Sequence, residues 1–157
     1  MGPSAKFTAK TGHFHKTLNT TMLLNYQCKV RAKVDKVRSF FKDPQNLLRI
    51  TPLSYLMRVE PCGELRENLR VRLTFAGFLL MESLIKDVRP EGFTDRALRR
   101  PPFIEHWEHE HLFLPAGALT VIEDRLVVET CLPSFLMRAV LGLMFNYRCR
   151  AMRRLLE

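Results

Sequence analysis

Two histidines in one apolar segment are the residues of this sequence best suited to chemistry. The segment FIEHWEHEHLF alternates with a period of two, which in a β-strand places Trp107, His109, His111 and Phe113 on one face, together with Glu105. Aromatic and imidazole side chains on a shared face are typical of a pocket wall that carries a few polar groups. The sequence therefore predicts that this strand lines a binding site.

Three interpretations fit the histidine pair, and the sequence leaves them open. As general acid and base, imidazoles that titrate near neutral pH could move a proton next to a carbonyl group, so His109 and His111 are the candidate catalytic residues. As metal ligands they would need a third partner such as Glu105, and no further ligand cluster follows, so we expect no metal and no cofactor. As structural residues they would hydrogen-bond neighbouring strands and shape the pocket.

Three carboxylates lie in strand-like segments, where charged side chains are uncommon. We expect Asp95 and Asp124 to form structural ion pairs with arginines close to them in sequence, namely Arg96, Arg99 and Arg125. Glu82 interrupts the apolar run FLLMESLI. It is either a desolvated carboxyl group that points into the pocket or a sheet residue that faces solvent.

The elements that position these residues begin with a strand and two short helices. Residues 22–32 alternate between apolar and polar side chains, the pattern of a half-buried antiparallel strand. Residues 34–52 carry apolar side chains at helical spacings, with a break at Asp43 and Pro44. Because aspartate caps a helix and proline fits its first turn, two short helices are predicted, and the second ends at Pro52.

Six more strands and one long helix complete the prediction. The β-prone runs between residues 54 and 131 are separated by turns rich in glycine and proline, as in an antiparallel meander. Residues 133–157 predict a helix of about 22 residues, or roughly 33 Å. We expect its apolar stripe to face the sheet; the stripe consists of Leu136, Val140, Leu143, Tyr147, Ala151 and Leu155.

The predicted fold class is α+β in a single domain. Residues 1–16 are interpreted as a flexible tail and residues 17–157 as the domain, since 157 residues without a break in composition fit one core. A seven-stranded curved antiparallel sheet, with two short helices after its first strand, would hold the long C-terminal helix on its concave face. The space between sheet and helix is a natural ligand cavity.

The net charge of +9 raises the question of a polyanionic partner. The basic residues are mostly dispersed, and their one dense cluster, at Arg148, Arg150, Arg153 and Arg154, also complements the dipole of the last helix. Nucleic-acid binding is therefore not expected, whereas contact with an anionic membrane surface stays an alternative. No apolar run reaches the ~20 residues of a transmembrane helix. Phosphate-loop, serine-hydrolase and dinucleotide-binding motifs are absent from the sequence.

Several motifs resemble those of the START-like SRPBCC superfamily, the helix-grip proteins that include plant pollen allergens and polyketide cyclases. They are FFKDPQNLLRITP at residues 40–52, Phe93 and Asp95, PPFIEHWEHEHLF at 101–113, Asp124, and FNYRCRAMRRLL at 145–156. The chain is most similar to bacterial stand-alone members that resemble polyketide cyclases or dehydrases. The resemblance implies a helix-grip fold with a cavity for an apolar ligand and implies chemistry only weakly, since one fold hosts many functions.

The resulting functional hypothesis is a binding protein for a small hydrophobic or amphipathic molecule, such as a lipid or polyketide-like compound. The alternatives are a cyclase or dehydratase that uses the histidines as acid and base, and a basic module for an anionic surface. We expect a cytoplasmic monomer or homodimer with four free cysteine thiols. The predicted ligand-binding residues are Tyr26, Leu73, Phe75, Glu82, Trp107, His109, His111, Phe113, Leu136, Val140, Leu143, Met144 and Tyr147.

Overall fold

The chain forms a seven-stranded antiparallel sheet with three helices, described by a computed structural model for residues 19–61 and 63–157. The strands are β1 (Thr20–Val30), β2 (Met57–Glu60), β3 (Arg70–Phe75), β4 (Phe78–Arg89), β5 (Gly92–Arg99), β6 (Ile104–Ala116) and β7 (Leu119–Thr130). The helices are α1 (Val34–Phe41), α2 (Asn46–Arg49) and α3 (Ser134–Leu156), and a 3-10 turn covers Ser54–Leu56. The predicted tail, residues 1–16, lies outside the described residues.

The sheet order β1-β7-β6-β5-β4-β3-β2 is a meander whose first strand pairs with its last. The prediction of seven strands and a long C-terminal helix is confirmed. Two predicted strands are shorter than expected, because β2 and β3 each begin later than their β-prone runs. Leu53 and Asn68 have φ values of 58° and 62°, and this left-handed conformation separates the preceding chain from each extended segment.

Helix α3 packs on the sheet with a different face from the one predicted. Its buried residues are Met137, Leu141, Phe145, Met152 and Leu156. Of the six residues predicted to face inward, Leu136, Val140, Leu143 and Tyr147 are exposed, so the prediction is wrong for these four. The other two, Ala151 and Leu155, are half-buried against the core. Both faces of the helix carry apolar side chains at helical spacing, and burial of one leaves the other in solvent.

The helices cover the inner face of the sheet unevenly. Helix α3 packs mainly along β1, and its Met137, Leu141 and Phe145 join one core cluster, whose other members are Met22, Leu24, Trp107, Leu126 and Val128. Its Met152 and Leu156 belong to a second cluster. Helix α1 contacts β6 and β7 in this second cluster, which is built around Val37, Phe40, Phe93, Phe113 and Ile122. The apolar residues that β3, β4 and β5 place on the same face are less covered: Val71, Leu73, Phe75, Met81 and Ala97 are half-buried.

A disulfide joins the edge strand β1 to helix α3. Cys28 of β1 and Cys149 of α3 are bonded, with their Cα atoms 5.5 Å apart. The expectation of free thiols is therefore wrong for this pair; Cys131 is free, and Cys62 lies outside the described residues. Disulfides persist mainly in oxidising compartments, and the cytoplasmic location stays a prediction.

Candidate functional site

Two aspartates and two histidines meet on the inner face of the sheet. Register pairs Asp95 of β5 with His109 of β6, and His111 of β6 with Asp124 of β7. Side chains of directly opposed residues share a face of the sheet, so three neighbouring strands deliver four titratable groups to one place. We refer to Asp95, His109, His111 and Asp124 as the His–Asp quartet.

Each imidazole of the quartet lies between both carboxylates. His109 places Nε2 2.9 Å from Asp124 Oδ1 and Nδ1 3.4 Å from Asp95 Oδ2. His111 places Nε2 3.3 Å from Asp95 Oδ2. Its Nδ1 is 2.9 Å from Asp124 Oδ1, in a direction that makes an ionic contact without a hydrogen bond. The two rings are 3.8 Å apart between centroids, so the four groups form one compact unit.

Neighbouring side chains fix the orientation of the quartet. Trp107 Nε1 and Ser83 Oγ donate to Asp95 Oδ1 at 3.3 and 3.4 Å, which leaves Oδ2 to the histidines. The ring of Phe93 lies 4.5 Å from that of His111, and the ring of Phe145 meets His109 edge-on at 5.6 Å. The imidazoles are therefore held between aromatic rings as well as between carboxylates.

Mutual contacts stabilise the charged forms of Asp95, Asp124 and His111. Burial opposes ionisation of Asp95 and Asp124, but the hydrogen bonds and ionic contacts with His109 and His111 outweigh it and hold the pKa of each carboxyl group well below its usual range. Burial alone would lower the pKa of His111, yet its contacts with Asp124 and Asp95 raise that pKa to about 9. At neutral pH the quartet thus contains two carboxylates and an imidazolium at His111.

Arg148 of α3 supplies a further positive charge beside the quartet. Burial lowers the pKa of its guanidinium, while the charges of Asp124 and Asp95 oppose that change. The guanidinium carbon lies 5.4 Å from the centroid of the Phe145 ring. Its Nε is buried and has no hydrogen-bond partner among the described residues. A buried donor without an acceptor is costly, so this N–H group is suited to donate a hydrogen bond to an oxygen atom of a ligand.

The quartet also has the geometry of a metal site. One ligand atom each from Asp95, His109 and His111 lies within 4.8 Å of the others, and Asp95 takes the place that the sequence interpretation gave to Glu105. A metal ion at these atoms would have to displace the proton of His111, because a ligating imidazole nitrogen is deprotonated. The ionic contacts already pair the four groups with one another, and the expectation of no metal stays a prediction.

One edge of the quartet reaches the less covered half of the sheet. The side chain of Asp95 is 14% exposed, against 2% for His109 and 9% for both His111 and Asp124. Register places Ser83 opposite both Val71 and Ala97, and Leu73 opposite Met81, on the face that carries Asp95. We refer to the half-buried apolar side chains on this face, together with Asp95, as the inner β3–β5 surface; the apolar members are Val71, Leu73, Phe75, Met81 and Ala97.

The predicted site residues divide between this region and other parts of the molecule. Those near the quartet are Trp107, His109 and His111, with Tyr26, whose ring stacks on Phe145 at 4.4 Å, and the half-buried Met144. Leu73 and Phe75 belong to the inner β3–β5 surface, and Phe113 is buried against α1. Leu136, Val140, Leu143 and Tyr147 point away from the sheet on the outer side of α3.

The structure decides two sequence predictions about charged residues. Glu82 pairs in register with Arg72 on the outer face, so the alternative that it points into the pocket is wrong; it is buried there beneath Arg70, Arg72 and Arg99 at 3.7 to 3.9 Å. Asp95 and Asp124 contact the histidines instead of the arginines beside them in sequence. Adjacent strand residues point to opposite faces, so Arg96 and Arg125 cannot reach the carboxylates next to them.

Two surface depressions lie away from the quartet. The first, of about 560 Å³, is on the outer face between Leu23 and Glu110, and the second, of about 520 Å³, lies beside Tyr55 and Thr74. No quartet residue lines either depression. The predicted cavity between the sheet and α3 therefore stays a prediction.

Comparison with known proteins identifies the fold. No family model and no curated protein matches the chain. A START superfamily protein from Mycobacterium smegmatis is 14% identical, with a TM-score of 0.67 over 85% of this chain and 96% of that one. A major latex-like protein from Panax ginseng is 12% identical, with a TM-score of 0.68 over 87% and 98%. An aromatase/cyclase from a Streptomyces species is 20% identical, with a TM-score of 0.60 over 86% and 90%.

Proposed function

We propose that this chain, which has the helix-grip fold of START superfamily structures, binds a small hydrophobic or amphipathic molecule on the inner β3–β5 surface. The observation that carries the proposal is the combination of half-buried apolar side chains with a buried, charged quartet whose most exposed member is Asp95. Apolar walls with a few polar groups at one end are typical of sites for amphipathic ligands.

The polar end of the site defines the chemistry of the ligand. Arg148 Nε needs an acceptor, and Asp95, the most exposed member of the quartet, marks the edge of the inner β3–β5 surface. A carbonyl or carboxylate oxygen of the ligand would accept from Arg148. The body of the ligand would cover Leu73, Met81 and Ala97. We therefore infer a ligand with an apolar body and an oxygen-bearing group at one end.

A fluorescent probe of matching chemistry tests the proposal. 1-Anilinonaphthalene-8-sulfonate combines an aromatic body with an anionic group, and Trp107, the one tryptophan in the sequence, reports on the quartet. We expect saturable binding with quenching of Trp107 fluorescence. Native mass spectrometry of the purified protein would then identify a co-purified molecule by its added mass.

Paired variants separate the inner surface from general hydrophobicity. Leu73→Gln places an amide on the inner surface and is expected to weaken probe binding about tenfold. Leu84→Gln is the matched control, since Leu84 lies on the next strand and pairs in register with Arg70 and Arg96 on the outer face. Arg148→Met should weaken binding of the anionic probe more than that of an uncharged naphthalene. Equal affinities of the Leu73→Gln and Leu84→Gln variants would contradict the proposal.

Acid-base catalysis on a polyketide-like substrate is the second candidate function. It is favoured by the imidazolium of His111, a proton donor held against two carboxylates beside the inner β3–β5 surface. The low pKa of Asp95 and Asp124 makes these carboxylates weak bases, which favours binding as the main role. If the chain is an enzyme, His111→Gln should abolish cyclisation of a poly-β-keto thioester and leave probe binding intact. Unchanged turnover in this variant would exclude the role.

A further inference from the structure

Four aromatic side chains protrude from one end of the sheet. Tyr55 and Phe78 are each 80% exposed, Phe103 is 60% exposed and Phe135 is 74% exposed. They come from four separate segments: the 3-10 turn before β2, the β3–β4 hairpin, the β5–β6 loop and the first turn of α3. Exposure of one such ring is ordinary, whereas a group of four at one end indicates an interaction surface.

The meander brings these segments together. In an antiparallel meander the turns alternate between the two ends of the sheet, so the β3–β4 and β5–β6 turns and the junction between β7 and α3 share one end. Backbone hydrogen bonds join the segments directly, from Ala76 to Leu56 at 2.7 Å and from Cys131 to Phe103 at 3.3 Å. We refer to Tyr55, Phe78, Phe103 and Phe135 as the aromatic end.

The aromatic end is the apolar end of the molecule. Toward the opposite end, the exposed large apolar side chains of the described residues include Val88, Leu114 and a single aromatic ring, Tyr147 of α3, at 40%, 37% and 45%. Beside the aromatic end, the outer side of α3 continues the apolar surface with Leu136, Val140 and Leu143. The apolar surface thus consists of the four exposed rings of the aromatic end and the exposed side of α3.

The charges around the aromatic end are mainly positive. Within residues 53–58, 74–79, 98–106 and 129–139, the basic residues are Arg58, Arg99, Arg100 and Arg138, and the acidic residues are Glu105 and Glu129. Rings that project from loops among arginines match the interfacial region of a bilayer, where aromatic side chains reside at the level of the headgroups. Anionic lipids attract the neighbouring basic residues.

We propose that the aromatic end docks on the surface of an anionic phospholipid membrane. Phe78 pairs in register with Phe75, a residue of the inner β3–β5 surface. Docking would therefore bring the end of that surface next to the β3–β4 turn into contact with the bilayer. The contact is peripheral, since no helix of the described residues is long and apolar enough to cross a membrane. The proposal stands on the exposed surface alone and does not depend on the identity of a ligand.

Vesicle co-sedimentation tests the apolar part of the surface. The full chain should bind vesicles of phosphatidylcholine mixed with phosphatidylglycerol and bind pure phosphatidylcholine much more weakly. Combining Phe78→Ser with Phe103→Ser should lower the partition coefficient at least about tenfold, because each ring loses its burial in the interface. Leu114→Ser, an exposed apolar residue at the opposite end, is the matched control and should stay within about twofold of the wild type.

A second pair of variants tests the position of the charges. Arg138 and Arg150 are both exposed on α3, the first beside the aromatic end and the second three turns further along. Arg138→Glu should lower vesicle binding about fivefold or more, and Arg150→Glu should lower it less. Binding should also weaken between about 0.1 M and about 1 M salt, where the Debye length falls from about 10 Å to about 3 Å.

Several results would overturn the membrane proposal. One is a wild-type protein that does not bind anionic vesicles at low ionic strength. Another is an equal loss in the Leu114→Ser control or in the Arg150→Glu variant, which would shift the surface to another part of the molecule. A third would come from sedimentation velocity. If the wild type is a dimer that dissociates when Phe78 and Phe103 are replaced, the aromatic end serves self-association and not membrane docking. Unchanged thermal unfolding of each variant shows that the fold is intact.

Discussion

The His–Asp quartet should make the stability of the fold depend on pH above neutrality. His111 is buried, and its pKa rises from 6.5 in the unfolded chain to about 9 in the folded protein. The sign follows from linkage: the stabilisation is fully present below pH 6.5 and is lost as the pH rises through about 9. The difference between the two pKa values corresponds to about 3 kcal/mol in the free energy of unfolding.

Urea denaturation at a series of pH values measures this effect. Between about pH 6 and about pH 9.5 the free energy of unfolding of the wild type should fall by about 3 kcal/mol. The His111→Gln variant should be less stable at pH 6 and nearly independent of pH over the same window. His106→Gln is the matched control, because His106 precedes Trp107 on the same strand and faces the other side of the sheet. It should follow the wild-type curve.

Two outcomes would refute this reasoning about His111. The first is a wild-type stability that stays constant across the window. The second is a His111→Gln variant that retains the decline, which would assign the titration to another group. In acid the sign reverses, because the pKa values of Asp95 and Asp124 are lowered on folding. Their stabilisation is present above the usual carboxyl pKa and is lost as the pH falls further.

Two further predictions concern the disulfide and one close backbone contact. Reduction of the bond between Cys28 and Cys149, 121 residues apart in sequence, should lower the free energy of unfolding by up to about 5 kcal/mol, measured as a fall in melting temperature on addition of dithiothreitol. The double serine variant should not respond to the reductant, and a response would place the effect elsewhere. Gly92→Ala should destabilise the protein by about 3 kcal/mol, because the new Cβ would lie 1.8 Å from the carbonyl oxygen of His111. Gly142→Ala in α3 meets no atom within 4 Å and should stabilise by about 0.5–1 kcal/mol in the same melting experiment, so equal effects of the two changes would contradict the argument.

The fold could be predicted from local patterns because most elements carry a clear period. The first strand was expected at residues 22–32 and spans Thr20–Val30, and the last helix was expected at 133–157 and spans Ser134–Leu156. The orientation of that helix could not be predicted in the same way. Leu136 and Leu143 repeat as regularly as Met137 and Leu141, and periodicity alone does not say which stripe meets the sheet.

The candidate site could be predicted only in part. Alternation along β6 placed Trp107, His109 and His111 together on the inner face, as the structure has them. The partners of the histidines depend on register between three strands, which a single sequence does not specify. The sequence analysis therefore paired Asp95 and Asp124 with arginines next to them in sequence. The period of two within each strand could have shown that these arginines point to the opposite face of the sheet.

The disulfide fixes α3 to the sheet near the C-terminal end of the helix. Cys149 anchors the helix to β1 one residue after Arg148, so any outward swing of the helix must pivot there. Phe135 lies 14 residues before the pivot, or about 21 Å along the helix axis. A tilt of about 10° would move Phe135 by roughly 4 Å and leave Arg148 almost in place. A tilt of this kind would open the molecule at the aromatic end and leave the His–Asp quartet in position.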